Sequence, residues 1–182
     1  PTPEVITPAD YELSLDGKTL VKWKNKNTKT IDMQSDEILK KVTAIGDYAF
    51  EDISVKAVVL PSELKIIGKG AFKGCTAIEQ IDLSQAEAIA IGAEAFAGCK
   101  RLKRVVLSVT MNLKPIGDKA FANCTSLENL TVLALYPPYF EGNPFQGISY
   151  PTVYVPATPD DVIDIYKRDS QWKALADKIH KL

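Results

Sequence analysis

The chain has 182 residues, of which 46% are hydrophobic and 25% are charged, proportions typical of a globular domain that can bury a sizeable core. Its 22 Lys and Arg residues are balanced by 23 Asp and Glu residues, so charge gives no reason to expect binding to nucleic acid or to an anionic membrane surface. No apolar run approaches the roughly 18 residues needed to cross a bilayer, and we expect no membrane span in this chain.

Residues 1–10 predict a tether rather than a packed element. They begin with Pro1-Thr2-Pro3-Glu4 and include a third proline, Pro8, a composition typical of an extended linker. The sequence starts with neither an initiator methionine nor a signal-peptide pattern. We therefore expect a processed or trimmed chain from which a targeting segment has been removed.

Residues 11–41 predict an N-terminal cap. Alternating apolar residues flank Asp16-Gly17, and Asp-Gly in this setting is a strong signal for a β-hairpin. The flanking runs are Leu13-Ser14-Leu15 and Leu20-Val21-Lys22-Trp23. Further along, Ile31-Asp32-Met33 matches the pattern of Val58-Val59-Leu60 and predicts a first, irregular strand.

A repeated motif occupies residues 42–156. The pattern Ile-Gly-x-x-Ala-Phe ends at Phe50, Phe72, Phe96 and Phe121, and a degraded fifth copy ends at Phe145. The steps between these phenylalanines are 22, 24, 25 and 24 residues, which lie within the range of about 20–29 residues found in leucine-rich repeats. Because one such unit has too little apolar surface to fold alone, the copies are expected to stack into one continuous core.

A second signature follows each phenylalanine, and the whole repeat is I-G-x-x-A-F-x-G-C-x-x-L-x-x-I-x-L. The first copy is interpreted as having Asp52 at the cysteine position. The I-x-L ending alternates apolar and polar residues and predicts a short strand with one buried face. The A-F-x-G-C segment predicts a helical or 3₁₀ turn that ends at a glycine with positive φ, and the glycine after isoleucine predicts a tight turn leading into it.

Residues 157–182 predict a C-terminal helical cap. Thr158-Pro159-Asp160-Asp161 has the pattern of a helix N-cap, a proline at the first helical position and acidic residues in the first turn. Apolar residues then recur at helical spacing, which indicates one or two short helices; they are Val162, Ile165, Tyr166, Trp172, Leu175, Ala176 and Ile179. The aromatic residues among them are expected in the core of the cap.

The I-G-x-x-A-F-x-G-C pattern resembles the BspA-type leucine-rich repeat of bacterial surface proteins over about residues 42–156. The ending is also similar to that of such proteins, in Asn143-Pro144-Phe145, Val153-Tyr154-Val155-Pro156, Tyr166-Lys167 and Trp172. We predict an α/β repeat fold, a right-handed leucine-rich-repeat solenoid with short strands on one face, closed by the N-terminal hairpin and the C-terminal helices. The resemblance implies an extracellular or cell-surface location and a role in adhesion or protein interaction, and it supplies no catalytic residues.

The sequence offers little material for catalysis or for binding a cofactor. Its single histidine, His180, lies near the C-terminus, where solvated surface is expected, so histidine metal sites and Ser-His triads have no basis. Gly68-Lys69-Gly70 lacks the spacing of a nucleotide-binding loop and recurs elsewhere as a turn. We expect a non-enzymatic protein without cofactor or metal.

The three cysteines, Cys75, Cys99 and Cys124, follow the period of the repeat. In-phase spacing predicts a stack of small buried thiols. A disulfide framework favours an even count and irregular spacing, and a metal site needs ligands that converge, whereas stacked strands hold them about 5 Å apart. The thiols are expected to be reduced and unreactive in the folded protein.

Two surfaces are candidate partner sites. Strand alternation predicts an outward column on the open sheet face, made up of Val59, Asp82, Val106, Thr131 and Tyr154, beside a second column of Ala57, Gln80, Arg104 and Asn129. Solenoids bind partners on such faces, although a face without a ligand would show similar columns. The other candidate is Leu135-Tyr136-Pro137-Pro138-Tyr139-Phe140, where Tyr136 and Tyr139 either anchor a partner or pack the last repeat against the cap.

The leading functional hypothesis is a binding or adhesion module of a secreted or surface-anchored bacterial protein. It would act as a monomer that contacts a protein or glycan through the sheet face. The alternative is a structural spacer in a larger surface assembly, with no ligand of its own.

Overall fold

The protein is described by a computed structural model that covers residues 4–86, 89–109 and 115–182. Residues 1–3 of the predicted tether lie outside these ranges. The rest of that segment is packed and not a loose tether, because Ile6 lies against the core and Pro8–Asp10 form a 3₁₀ helix. In the described part, the chain forms a β-solenoid of about six turns with few helices. Stacked turns bury one continuous apolar core, as the repeat predicts.

The regular elements of the described residues are short. The strands are β1 (Tyr11–Leu13), β2 (Thr19–Trp23), β3 (Thr30–Asp32), β4 (Ala44–Ile45), β5 (Ala57–Val59), β6 (Ile66–Ile67), β7 (Gln80–Asp82), β8 (Ala90–Ile91), β9 (Arg104–Leu107), β10 (Asn129–Val132), β11 (Thr152–Val155) and β12 (Ile179–Lys181). The helices are α1 (Val162–Arg168) and 3₁₀ helices at Pro8–Asp10, Leu39–Lys41 and Lys173–Lys178.

The strands belong to more than one sheet. One sheet has the order β1-β2-β4-β6-β8, a second has the order β12-β11-β10-β9-β7, and β3 pairs with β5 in a separate two-stranded sheet. The prediction of strands on one face is therefore wrong. Each of β4, β6 and β8 is a two-residue strand that ends at the isoleucine of the motif, and Ile45, Ile67 and Ile91 pair in parallel register. Two residues are too few to show the alternation by which strands are recognised in a sequence.

The A-F-x-G-C segment is a series of tight turns, so the prediction of a helical or 3₁₀ turn, and with it the α/β character of the repeat, is wrong. The Ala71 N–H donates to the Gly68 carbonyl in its own turn, but the Phe72 N–H donates to the Ala95 carbonyl of the next repeat at 2.7 Å. Because alternate N–H groups are used between repeats, the backbone cannot form the consecutive internal bonds of a helix. The predicted positive φ is confirmed at Gly74, at 72°.

The glycine after each isoleucine is required by the close approach of neighbouring repeats. At Gly92, an added Cβ would lie 2.7 Å from the carbonyl carbon of Gly68 and 2.7 Å from the nitrogen of Lys69. These are backbone atoms and cannot rotate out of the way. Any side chain at this position would therefore separate the two repeats, a reason for the glycine other than the tight turn that the sequence predicts.

Stacked aromatic rings run through the core, as the phenylalanine period predicts. Phe50 and Phe72 have ring centroids 4.7 Å apart and planes 6° from parallel, and the stack continues to Phe145. It also extends in the other direction, because Trp23 stacks on Phe50 at 5.6 Å and Tyr11 stacks on Trp23 at 6.0 Å. The repeat pattern in the sequence does not identify Trp23 and Tyr11 as members of this stack.

The three cysteines form a second buried series in phase with the repeats, as predicted. The Sγ atoms of Cys75, Cys99 and Cys124 donate to main-chain carbonyls of Phe50, Phe72 and Phe96 at 3.0, 3.1 and 3.0 Å. Burial raises the pKa of the Cys75 thiol to about 12. The pKa of the Cys99 thiol is also raised, by its hydrogen-bonding interaction with the neighbouring Cys124 thiol and by burial.

The assignment of Asp52 to the cysteine position is wrong. Asp52 has a φ of 57°, and its N–H donates to Lys73 of the next repeat just as the Gly74 N–H donates to Ala97. It therefore occupies the glycine position of the turn. Ile53, which is 1% exposed, takes the place of the buried cysteine.

At the N-terminal end, β1 and β2 form an antiparallel hairpin, with Tyr11 opposite Trp23. Gly17 in the connecting turn has a φ of 70°, the backbone conformation that the Asp-Gly signal predicts. The predicted strand at Ile31 is confirmed as β3, in which Ile31 pairs in parallel with Val58.

The C-terminal segment differs from its prediction in two places. Helix α1 begins at Val162 with Asp161 as its N-cap, so the assignment of Thr158 as N-cap and Pro159 as first helical residue is wrong. Ile179 lies in β12, which pairs in parallel with β11, and not in a helix. The spacing of Ile179 from Trp172 and Leu175 is compatible with burial at the end of the solenoid in either a helix or a strand. The pairing with β11 is what makes the backbone of Ile179 extended.

Candidate binding surface

Four members of the predicted outward column lie side by side on one parallel sheet. Asp82 of β7 pairs with Val106 of β9, Val106 with Thr131 of β10, and Thr131 with Tyr154 of β11. Parallel in-register pairing brings residues of successive repeats about 4.8 Å apart. The column is therefore a continuous row across this sheet.

The inward and outward assignments of this row are confirmed by burial. Val105, Leu130 and Val153 are 0% exposed, whereas Asp82 is exposed and the side chains of Val106, Thr131 and Tyr154 are half-buried. Half-burial arises because each outward side chain packs against its neighbours on the adjacent strands. The row thus presents a shallow surface of short and aromatic side chains.

Val59 stands apart from the other four members of the column. It is 50% exposed, but its strand β5 pairs with β3, where it lies opposite Asp32, and not with β7. The hydrogen-bonded pairing of strands is therefore interrupted between β5 and β7, although the two strands remain in contact. The repeat step at this point, from Phe50 to Phe72, is 22 residues, whereas the later steps are 24 or 25.

His180 extends the row at its other end. It lies opposite Tyr154 in the pairing of β11 and β12, and the centroids of the two rings are 6.2 Å apart. Its side chain is exposed, as predicted, but it is placed by a strand and not by a loose terminus. Only Ile179 of the three residues of β12 is buried, so no alternating pattern in the sequence indicates this position.

The neighbouring column contains the one arginine among the predicted site residues. Gln80 pairs with Arg104, and Arg104 with Asn129. The Arg104 Nη2 atom donates to the Gln80 Oε1 atom at 3.0 Å. Arg104 is exposed, so the guanidinium group lies along the sheet face and has donors left for a partner.

The backbone of the aromatic segment Leu135–Phe140 is held by the C-terminal residues. The Trp172 indole N–H donates to the Pro138 carbonyl at 2.7 Å, and the Tyr166 hydroxyl donates to the Ala134 carbonyl at 2.8 Å. The Gln171 side chain hydrogen-bonds both the N–H and the carbonyl of Phe140. Burial raises the pKa of Tyr166, so this phenol remains a neutral donor.

The aromatic side chains of that segment fall into two groups. Phe140 is buried, with its ring centroid 4.7 Å from that of Trp172, and it packs the last repeat against the C-terminal segment. Tyr136 and Tyr139 are 56% and 45% exposed. Of the two interpretations of this segment, packing therefore describes Phe140, while the two tyrosines remain available at the surface.

A groove lies beside β3, at the end of the sheet face where Val59 is found. Its volume is about 400 Å³. The walls are formed by the N-terminal residues Glu4 and Ile6, by the turn after β3 and by the outward side of β5; the lining residues include Asp32, Asp36, Ala57 and Val59.

Within the described residues, no group of three or more His, Cys, Asp or Glu side chains is arranged to hold a metal ion. None of the helices in the described ranges is both long enough and apolar enough to cross a membrane.

Stacked turns, short parallel strands and an internal ring ladder define a solenoid of the leucine-rich-repeat class. The model of the BspA type leucine rich repeat region matches residues 24–149 with six copies, and the chain belongs to this family. The match confirms the resemblance inferred from the motif. It begins well before residue 42 and counts one copy more than the five recognised in the sequence.

Solved structures share the fold at low sequence identity. The pneumococcal vaccine antigen PcpA aligns with a TM-score of 0.56 and 18% identity over 93% of this chain and 44% of its own. A leucine-rich cell surface protein from Faecalibacterium prausnitzii aligns with a TM-score of 0.50 and 23% identity over 67% of this chain and 37% of its own. The chain thus spans less than half the length of either protein. No curated protein shows significant sequence similarity to it.

Proposed function

We propose that the chain is a non-enzymatic binding module of a secreted or surface-anchored bacterial protein, and that it contacts a protein partner through the row Asp82, Val106, Thr131 and Tyr154. The observation that carries the proposal is the in-register exposure of this row on one sheet. A surface location is supported by family membership and by the two similar structures, one described as a cell surface protein and the other as a vaccine antigen.

The side chains of the row suit a protein contact. Val106, Thr131 and Tyr154 have few rotatable bonds and are already half-buried between neighbours, so little side-chain entropy is lost when a partner orders them. Asp82 lies at one end of the row and Arg104 lies in the neighbouring column, and the two side chains carry opposite charges. Tyrosine and arginine are the residue types that most often contribute large shares of binding energy at interfaces.

The two end segments support a self-contained monomeric module. The β1–β2 hairpin covers one end of the ring ladder through Tyr11, and Trp172 and Leu175 are buried at the other end. We propose that they act as caps, since a solenoid without capped ends would expose apolar core.

The test is the variant Val106→Glu, with Val21→Glu as its matched control. Val21 is an exposed valine of β2, in the other large sheet. The free energy of unfolding of both variants is expected to lie within about 1 kcal/mol of the wild-type value, since neither valine is in the core. Binding is measured on arrays of immobilised host extracellular proteins and of glycans, followed by titration of each hit.

Val106→Glu should weaken binding to a protein hit at least about tenfold, and Val21→Glu should leave it unchanged. Unchanged binding by Val106→Glu would overturn the assignment of this row and favour Tyr136 and Tyr139. Binding to no array member would favour the structural spacer, and binding to glycans alone would replace a protein partner by a carbohydrate.

A further inference from the structure

We propose that the groove beside β3 binds an extended peptide segment of the partner in which Lys or Arg residues alternate with apolar residues. The inference rests on the proposed function, because it concerns the same protein partner and a groove on the same side of the solenoid; Val59, which lines the groove, was predicted in the outward column but lies on a strand that does not pair with β7. Three features carry it: the apolar lining, the sign of the charged side chains that line the groove, and a strand edge with which no described strand pairs.

The apolar lining comes from both walls of the groove. Ile6 packs on the core from the N-terminal segment, and Ala57 and Val59 project outward from β5. At 50% exposure, Val59 has apolar surface that an occupant would remove from water. A groove of about 400 Å³ accommodates a few side chains, which is the size of a short peptide contact and is smaller than a whole domain interface.

The charged residues that line the groove are all carboxylates. They are Glu4, Asp32 and Asp36, and the lining contains no lysine or arginine. None of the three forms an ion pair with a described residue. Because the whole chain has a net charge of only −1, the uniform sign here is local, and it favours a cationic occupant.

Hydrogen bonds fix these carboxylates in place. Glu4 Oε2 accepts from the Lys29 N–H at 2.9 Å, and Asp36 Oδ1 accepts from the Leu39 N–H at 2.8 Å. The Asp32 carboxylate accepts from the N–H and the hydroxyl of Ser35. A cationic side chain would meet acceptors that are already oriented, so less ordering accompanies binding.

The backbone of β3 favours an extended occupant. One edge of β3 pairs with β5, and no strand of the described residues pairs with its other edge. An extended peptide can hydrogen-bond to such an edge while alternate side chains enter the adjacent groove. Successive side chains of an extended peptide point in opposite directions. In a peptide with alternating residue types, the basic side chains would contact the carboxylates and the apolar side chains would contact the apolar lining.

The experiment selects peptides from a random twelve-residue library on the immobilised full chain and measures their affinity by fluorescence anisotropy. The test variant is Glu4→Gln, Asp32→Asn and Asp36→Asn combined, which removes three charges but keeps an acceptor oxygen at each site. The control variant is Glu63→Gln, Glu128→Gln and Glu141→Gln combined, which removes three exposed carboxylates that lie outside the groove. Thermal melting verifies that both variants are folded.

Selected peptides should be rich in Lys or Arg beside apolar residues. They should bind the test variant at least about tenfold more weakly than the wild type, and they should bind the control variant with the wild-type affinity. Their affinity should also fall as salt is raised from 0.05 to 0.5 M, because the charges are accessible to solvent. Failure to enrich any peptide, enrichment of acidic peptides, or an equal loss in both variants would overturn the proposal.

The Val106→Glu variant separates this proposal from the proposed function. If basic peptides bind the groove but Val106→Glu leaves the protein partner bound, the row is wrong and the groove stands. If Val106→Glu abolishes partner binding while neutralising the three carboxylates changes the affinity for neither the partner nor the peptides, the groove proposal is overturned and the assignment of the row is supported.

Discussion

Phe72 and Phe96 stack in the core with their ring centroids 5.3 Å apart and their planes 8° from parallel. Phe96 stacks in turn on Phe121 at 5.5 Å and is 0% exposed. It therefore has an aromatic neighbour on both faces. Each repeat is connected to the next through such a pair, so the ladder couples the stability of neighbouring repeats.

Replacing Phe96 by alanine is expected to lower the free energy of unfolding by about 3–5 kcal/mol, the cost of removing a large buried side chain from a packed core. Urea denaturation of the wild type and the variant measures the difference. Val59→Ala, at an exposed position, serves as the control and should change stability by about 0.5 kcal/mol or less. A loss of under about 1 kcal/mol for Phe96→Ala would show that the ladder is not the main support of the core.

The phenylalanine ladder was predictable because its phenylalanines recur every 22 to 25 residues, in most copies at the end of the same Ile-Gly-x-x-Ala-Phe motif. Trp23 belongs to it but lies 27 residues before Phe50, outside the period of the later copies, and it lacks the preceding Ile-Gly. The pairing of Leu20 with Ile45 supplies the missing equivalence, which needs the fold to be known. In the same way, the sheet that contains β4, β6 and β8 follows from contacts between repeats, because two-residue strands leave no periodic signal of their own.

The glycines of the repeat fall into two physical classes, and a pair of variants separates them. Gly92 has no room for a Cβ, so Gly92→Ala should cost about 1–3 kcal/mol, as other over-packed sites do. Gly98 has a φ of 73°, but the nearest atom to an added Cβ lies at 3.8 Å. Asn123 already occupies the equivalent position with a φ of 57°, so Gly98→Asn should cost about 1 kcal/mol or less.

Thermal and urea unfolding of these two variants gives the comparison. Equal losses would show that the close approach of the repeats at Gly92 does not make this glycine harder to replace than Gly98. The sequence alone does not separate the two classes, because the same residue type serves both. The separation needs the distance between backbones of successive repeats, which only the assembled solenoid defines.

The candidate surface was predictable only in part. Alternation within each I-x-L strand correctly placed Val106 and Thr131 outward. It did not show that β5 pairs with β3 and not with β7, nor that the N-terminal Glu4 and Ile6 form one wall of a groove beside Val59. Those features depend on how segments far apart in the sequence pack together, and no local pattern encodes them.

Alkaline pH is expected to weaken the fold through the buried thiol of Cys75. Its pKa is raised to about 12, from an ordinary value of 9.0, chiefly because burial disfavours the thiolate. Between these values the unfolded chain loses the thiol proton while the folded chain retains it. The folded state then binds more protons, so its stability falls as pH rises. The contribution is fully present below about pH 9 and is lost as pH rises toward 12.

Comparison of the wild type with Cys75→Ala tests this contribution, because the other titrating groups are present in both proteins. The variant is less stable at pH 8, since it leaves a small cavity. The gap should narrow by about 2 kcal/mol between pH 8 and pH 10.5, at about 1.4 kcal/mol for each pH unit above the unfolded pKa. Urea unfolding in the presence of a reductant measures the gap at each pH.

Thiol titration with Ellman's reagent is the accompanying control, and it should detect three cysteines after denaturation and few or none before it. A gap that does not change with pH, or rapid labelling of all three thiols in the native protein, would show that Cys75 is not sealed in the core.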